Sequence, residues 1–424
     1  MYRGGALAVP MRSGQTMRCI ARSHSIRYWM LLAVTPLVAW GAPASAAGDS
    51  VKIGILTDES GIYASVSGKG TVMAARMAIE EFGGQVLGKP IVLVVADHKD
   101  DPGRAASIAR SWFDKEGVDM IADLTDTPVA VAVQKIAKDR GKIDIVTGAA
   151  SPQLTGEDCS PTGFHWVYNS YALGKGAASA VEQGDKTWFF ITTESAFGAP
   201  LQELTGDFVK QAGGKILGGI EHPPGTIDFS PYLREAQDSG AQVIGLADAG
   251  ADAVGLIRQA AQYGIGRGGQ RIAGLLMTTS DVDALGLDLA QGMVITTASY
   301  WDQDGESRAW SKKFFTEMRA MPNMVQAGSY SAVLHYLKAV RAAGTTDGAA
   351  VAKKMRELPV NDAFFKNGVV RADGLMQHDM LLAVVKTPAE SKQPWDYLSI
   401  LQTIPGSTAF LPLDQSECPL VAKQ

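Results

Sequence analysis

Val51-Lys52-Ile53-Gly54-Ile55-Leu56 carries a single charge and no polar alternation that would give it a wet face. Such a run reads as a strand buried on both sides, the kind that opens a parallel, doubly wound sheet. Ser60-Gly61-Ile62-Tyr63 follows as a loop, and Val72, Ala75, Ile79 and Phe82 then recur at helical spacing. The alternation continues with a strand over 91–96 and a helix opening after Asp101-Pro102, with Ala105, Ile108, Trp112 and Phe113 on its inner face. A strand over 120–122, a helix over 128–140 and a strand over 143–147 complete a βαβ series.

A second series begins after Tyr168. Helices over 172–182, 200–212, 232–239 and 252–263 alternate with strands over 187–191, 216–220, 242–246 and 272–276, and a strand over 293–297 ends it. Helices over 306–318, 329–343 and 348–357 return, followed by strands near Val369, over 381–385 and over 397–400, the last two separated by a turn at Pro394-Trp395. The fold class is α/β, with two doubly wound lobes. The length also exceeds the roughly 250–300 residues at which single cores stop growing.

Upstream of the first strand, Arg18, Arg22 and Arg27 precede an apolar run from Tyr28 to Ala42, and Ala44-Ser45-Ala46 offers small residues for cleavage. This is the pattern of a secretory signal peptide over 1–46, cleaved near Ala46-Ala47, with Met1, Met11 or Met17 as the start. The run is shorter than the roughly 20 residues a membrane span needs, so no membrane insertion is expected. Five of the 39 basic side chains lie in this leader with no acid, leaving 34 basic against 44 acidic, a formal charge of −10. That balance disfavours nucleic acid and anionic lipid as partners. Cys19 leaves with the leader. Cys159 and Cys418 remain as an even pair in a disulfide-permissive compartment and are expected to bridge.

Gly264-Ile265-Gly266-Arg267-Gly268-Gly269 matches a dinucleotide fingerprint in letters only. It follows a helix and precedes a strand, whereas phosphate cradling needs strand, turn and helix, so a helix C-terminus explains it better. No G-x-S-x-G elbow occurs, and His98, His165, His222, His335 and His378 lack metal-ligand spacing. No cofactor, metal or catalytic residue is expected. The loops at strand ends say more, because ligands of open α/β sheets bind there. Thr125-Asp126-Thr127-Pro128 and Ala149-Ala150-Ser151-Pro152 each bring hydroxyls and free amides to a helix start, either as plain caps or as a trap for a carboxylate. Thr127 is read as the cap of its helix.

Taken in order, several segments resemble the periplasmic solute-binding proteins of branched-chain-amino-acid-type ABC importers. They are Ile53-Gly54-Ile55-Leu56-Thr57-Asp58-Glu59-Ser60-Gly61, residues 97–102, Ala149-Ala150-Ser151-Pro152, Ala196-Phe197-Gly198 and Thr226-Ile227-Asp228-Phe229-Ser230. The resemblance spans 51–421. It implies two lobes joined by three crossover segments, near Tyr168-Asn169, near Ala298-Ser299 and over 375–379, closing like a clamshell on a ligand. The lobes would be 47–168 plus 299–376, and 169–298 plus 377–424.

The resemblance also implies a site. Thr125, Thr127, Ala149 and Ser151, with Asp126 and Ala150 between them, would hold the ligand's carboxylate under Tyr63. Phe197, Asp248 and Thr279 would face it from the second lobe, with Gln326 from the first. Amino-acid binders of this family carry an acid near the position of Thr279, where this chain reads Met277-Thr278-Thr279-Ser280; a buried ammonium without a partner is costly. Gly245-Leu246-Ala247-Asp248-Ala249-Gly250 and Val325-Gln326-Ala327-Gly328 are similar to a subgroup associated with aromatic carboxylates. The implied function is a periplasmic receptor for a small carboxylate, such as a benzoate derivative, that delivers it to membrane permease subunits. Amino-acid capture, a sensory module and an extracytoplasmic enzyme are the alternatives. A carboxylate at Asp126 would repel a bound carboxylate, so it turns outward or meets a cationic end of the ligand.

Overall fold

The computed structural model describes residues 49–179, 184, 186–266 and 269–422. The leader read at 1–46 lies outside them, as do the end of the helix read to 182 and part of the glycine run at 264–269.

The first sheet grows from β1 (Val51–Thr57), α1 (Gly68–Phe82), β2 (Gln85–Val86), β3 (Lys89–Asp97), α2 (Pro102–Ser111), β4 (Met120–Asp123), α3 (Thr127–Asp139), β5 (Ile143–Val146) and β6 (Gly163–His165). Its order is β2-β3-β1-β4-β5-β6, parallel except for β2 at the edge. β1 is central and buried along its length apart from Lys52. Gly54 is needed there because a Cβ would stand 2.5 Å from the indole of Trp112. Asp101 starts α2 by accepting from the amides of Gly103 and Arg104 at 2.8 and 3.0 Å, with Pro102 in the first turn, where its missing N–H costs nothing.

The chain then builds a second sheet from α4 (Ser170–Ala178), β7 (Thr187–Thr193), α5 (Gly198–Gln211), β8 (Lys215–His222), α6 (Ser230–Asp238), β9 (Val243–Ala247), α7 (Gly250–Ala260), β10 (Arg271–Gly274), α8 (Thr279–Leu285), α9 (Leu287–Ala290) and β11 (Val294–Thr297). Three helices, α10 (Gly305–Met318), α11 (Met324–Ala343) and α12 (Gly348–Glu357), return to the first sheet, where α11 packs along α1. After the short pair β12 (Val369–Val370) and β13 (Met376–Gln377), the strands β14 (Met380–Val385) and β15 (Leu398–Ile404) rejoin the second sheet antiparallel, and α13 (Gly406–Ala409) follows. The second order is β15-β14-β11-β10-β9-β7-β8. Both sheets therefore reverse direction beside their first strand, at β1/β4 and at β7/β9.

Differences from the sequence reading have local causes. β2 and β6 are only two and three residues long, too short to show a period. α8 starts at Thr279, where a loop was read, because Thr278 and Asp281 form a reciprocal capping box. α11 starts five residues earlier than read, since Asn323 accepts from the amides of Val325 and Gln326 at 2.9 and 3.1 Å. Asp126, not Thr127, takes the N-cap position of α3. Gly264 adopts φ 72° at the end of a short turn after α7, as a helix-ending glycine does.

Cys159 and Cys418 form a disulfide with Cα atoms 5.6 Å apart, across 259 residues of chain. Both are fully buried, and the Ser416 hydroxyl adds a bond to the Thr155 carbonyl. The bridge pins the C-terminal tail to the loop after β5. Closing so long a loop restrains the unfolded chain by about 5 kcal/mol in the chain-entropy view. Cys418→Ser should lower unfolding free energy by about 2–5 kcal/mol with little loss of circular-dichroism signal; denaturant titration with and without reductant measures it.

Candidate functional site

The carboxyl ends of β1, β4 and β5 face those of β7, β9 and β10 across a narrow cleft. The loops diverge at each reversal of strand order, which is where open α/β sheets leave a crevice. Here the crevice is a small space with room for about one water molecule, about 20 Å³. Tyr63 after β1, Tyr168 after β6 and Phe197 after β7 bring three rings to it. Val66, Ala249 and Leu276 add apolar surface, and Gly148, Ala149 and Ala150 present main chain.

Polar groups are few and concentrated on the first lobe. Thr127 Oγ1 is buried and has no hydrogen-bond partner among the described residues. The amides of Ala149 and Ala150 donate to no protein carbonyl there either. Leaving a buried hydroxyl unpaired costs about 1–3 kcal/mol, so a ligand that bonds Thr127 recovers that loss. Thr125 also lines the space, with its hydroxyl 3.4 Å from Asp123.

Asp126 lines the space as well, with φ at 78°, a left-handed value rarely adopted by a residue with a Cβ. The nearby amides of Thr127 and Val129 favour its charged form without closing a well-shaped bond. Burial outweighs them and pushes Asp126 up to about 6, with the charge of Asp58 adding to the effect. The Tyr63 phenol is held well above its ordinary value, by burial first and then by Asp126 and Asp248. It is therefore a hydrogen-bond donor at any physiological pH.

Of the residues read from sequence, Tyr63, Thr125, Asp126, Thr127, Ala149, Ala150 and Phe197 meet around this space, while four others lie elsewhere. Ser151 caps the short turn at Pro152–Thr155 and faces a larger cavity of about 450 Å³ beside the hinge, which Asn169 and Arg371 also line. Asp248 is occupied, accepting from the Ala249 amide at 2.7 Å and bonding His222 Nε2 at 3.1 Å. Burial works against a charged His222, but Asp248 outweighs it and raises the ring above its usual value. Thr279 is the first residue of α8, and Gln326 closes the capping box of α11 at the Asn323 amide. Tyr168, read only as a crossover residue, reaches the space and bonds the Gly148 carbonyl at 3.0 Å. No signal marked it, because β6, the strand before it, is too short to show a period, and Leu276 was read as the end of a strand over 272–276 that in fact stops at Gly274.

The jaws touch directly. The Ala251 amide at the start of α7 donates to the Ile62 carbonyl at 3.0 Å, next to Tyr63. Asn323 Nδ2 donates to the Val66 carbonyl at 2.9 Å in its own lobe and to Ser280 Oγ at 3.0 Å in the other. Gly250, with φ 61°, allows this approach, since a Cβ there would lie 2.5 Å from the Ile62 oxygen. Among the described residues, no cluster of His, Cys, Asp or Glu is arranged to hold a metal ion, and no helix is long and apolar enough to cross a membrane.

Comparison with known proteins gives a consistent result. A periplasmic binding protein family matches residues 50–393. Leu/Ile/Val-binding protein homolog 6 of Brucella melitensis is 28% identical over 333 residues, covering 76% of this chain and 84% of its own. The crystal structure of a periplasmic binding protein from Burkholderia mallei is 46% identical with a TM-score of 0.86, covering 88% of this chain and 100% of that one. An ABC-transporter solute-binding protein from R. palustris, solved in complex with benzoate, shares the fold at a TM-score of 0.75 and 20% identity, covering 84% of this chain and 97% of its own. With two sheets that reverse at facing edges, and a family match over most of its length, this chain belongs to the periplasmic binding proteins of the ABC-transporter type.

Proposed function

We propose that the protein captures a small aromatic carboxylate, such as a benzoate derivative, in the periplasm by closing its two lobes around it, and presents the closed form to the permease subunits of an importer. The observation that carries this reading is the make-up of the inter-lobe space: three aromatic rings around one unpartnered hydroxyl and two unused amides. Rings offer stacking and edge contacts to a flat ligand. Thr127 Oγ1 and the amides of Ala149 and Ala150 suit carboxylate oxygens, reinforced by the positive end of α3. The R. palustris protein of the same fold, solved with benzoate, supports the ligand class.

Asp126 supports a second reading, an amino acid whose ammonium meets that carboxyl. The two readings differ in the sign of their pH dependence. Asp126 is raised to about 6 by burial. A bound carboxylate favours the protonated acid, which can donate to it, so affinity should fall as pH rises through about 6. A bound ammonium favours the ionised form, so affinity should rise over the same interval.

Calorimetric titration of benzoate, 4-hydroxybenzoate, leucine and valine between pH 5 and 8 tests this directly. The proposal expects an aromatic acid to bind, more tightly at low pH. Binding of leucine or valine but neither aromatic acid would overturn it. Asp126→Asn should strengthen aromatic-acid binding at pH 7.5 and flatten its pH profile, whereas an amino-acid ligand should lose about tenfold or more in affinity, the weight of one charge-assisted hydrogen bond.

A further inference from the structure

The loop that covers the cavity is held by two carboxyl groups. Asp58, at the end of β1 and fully buried, accepts from the amides of Ser60, Gly61 and Tyr63 at 3.2, 2.5 and 2.8 Å. Asp100, between β3 and α2, accepts from the Ile62 amide at 3.2 Å. The two carboxyls close on the same turn, and Asp100 Oδ1 is buried with no hydrogen-bond partner among the described residues. Gly61 lies against both: a Cβ there would stand 2.1 Å from an Asp100 oxygen and 2.7 Å from an Asp58 oxygen. The same turn supplies Tyr63 to the cavity and the Ile62 carbonyl to the Ala251 amide of the opposite lobe.

We propose that Asp58 and Asp100 are positioning residues that together hold the Gly61–Tyr63 turn in its closing position, and that a proton on Asp100 is part of that hold, so that closure of the lobes is linked to proton uptake. The inference rests on lobe closure from the preceding reading but is independent of which ligand binds.

The surroundings favour a protonated Asp100. Burial first, then the charges of Asp58 and Asp126, raise Asp100 to about 7, while the Ile62 amide opposes them. His98 supplies no counter-charge: its Nδ1 accepts the Asp100 amide at 3.1 Å, and burial holds the ring down to about 4. Lys99 is exposed and acts on Asp97. Across the cleft, Asp248 and Asp252 bear on Tyr63 with negative charge. Loss of the proton therefore sets Asp100 against Asp58 and Asp126 with no cation beside it, and the turn loosens. Because the acid is raised in the closed form, its stabilising effect is full only in the ordinary carboxylate range, falls steadily as pH rises to about 7 and is gone above it.

Hydrogen exchange of the ligand-free protein between pH 5.5 and 8.5, corrected for intrinsic rates, tests the link. The amides of Ile62 and Tyr63 report the turn, and that of Ala251 reports the contact between lobes. Protection of all three should fall between pH 5.5 and about 7, by up to about tenfold per pH unit, the limit for one linked proton, and level off above it. Asp100→Asn keeps an acceptor for Ile62 and a donor for Asp58 without ionising, so its protection should stay at the low-pH level throughout. Gly61→Ala pushes a methyl into both carboxyls and should unprotect the turn at every pH. An equal decline in Asp100→Asn, no decline in the natural protein, an Ala251 amide already unprotected at pH 5.5, or Gly61→Ala behaving as the natural protein would each overturn the proposal. Failure of the aromatic acids to bind would leave these outcomes unaffected.

Discussion

Burial of both sheets on both faces governs the rest of this molecule. Strands such as β1 and β4 carry apolar side chains on each side, so polar groups are displaced to the strand ends. There the chain gathers the buried Asp58, Asp123 and Asp248, each answered by neighbours, and the half-buried Asp126, whose carboxyl closes no hydrogen bond. Asp123 is fully buried and raised to about 7 by that burial, although hydroxyls from Thr57, Thr147 and Thr125 oppose the shift. Thr147 continues to Ser329 of α11 at 2.8 Å, so the acid network also ties the returning helix to the first sheet. Asp248 leans on His222 instead. Such networks define geometry strongly because leaving any member unpaired is costly.

The chain passes between the two sheets three times, and these crossings are bonded to one another or to the sheets. His378 Nε2 meets the Val167 carbonyl at 2.8 Å, joining the third crossover to the first. The Tyr300 hydroxyl and the Trp301 indole both donate to the Trp395 carbonyl, fixing the second crossover to the tail strands. Arg371, buried beside Asp373, donates to the Leu411 carbonyl, and the disulfide fastens the end of the chain nearby. A hinge braced in this way suits rigid-body closure, with small dihedral changes concentrated in a few residues. The contacts that meet across the cleft are correspondingly sparse, chiefly Ile62 with Ala251 and Asn323 with Ser280.

Much of the fold was legible in local pattern. Long amphipathic helices and doubly buried strands announce themselves because the sheet period and the helix period differ, and Asp101-Pro102 marks a helix start by its own chemistry. Elements held only by pairing, such as β6 and β13, left no such mark. The site was legible where residues act through their position after a strand, as with Thr125–Thr127 and Ala149-Ala150. It was not legible where a side chain had two possible partners. Ser151, Thr278, Asn323 and Gln326 all carry groups fit for a ligand, yet the helix ends beside them take those groups first.

The sequence by itself determined an acidic α/β chain, two wound lobes, and the cysteine pair, because each follows from composition, periodicity or parity. Only the tertiary structure decided that Asp126 faces the inter-lobe space, that Asp248 is engaged by His222, and that Tyr168 reaches the cavity. Those outcomes depend on which distant groups compete for the same hydrogen bonds and on how deeply each acid is buried, and neither is a property of a residue's neighbours along the chain.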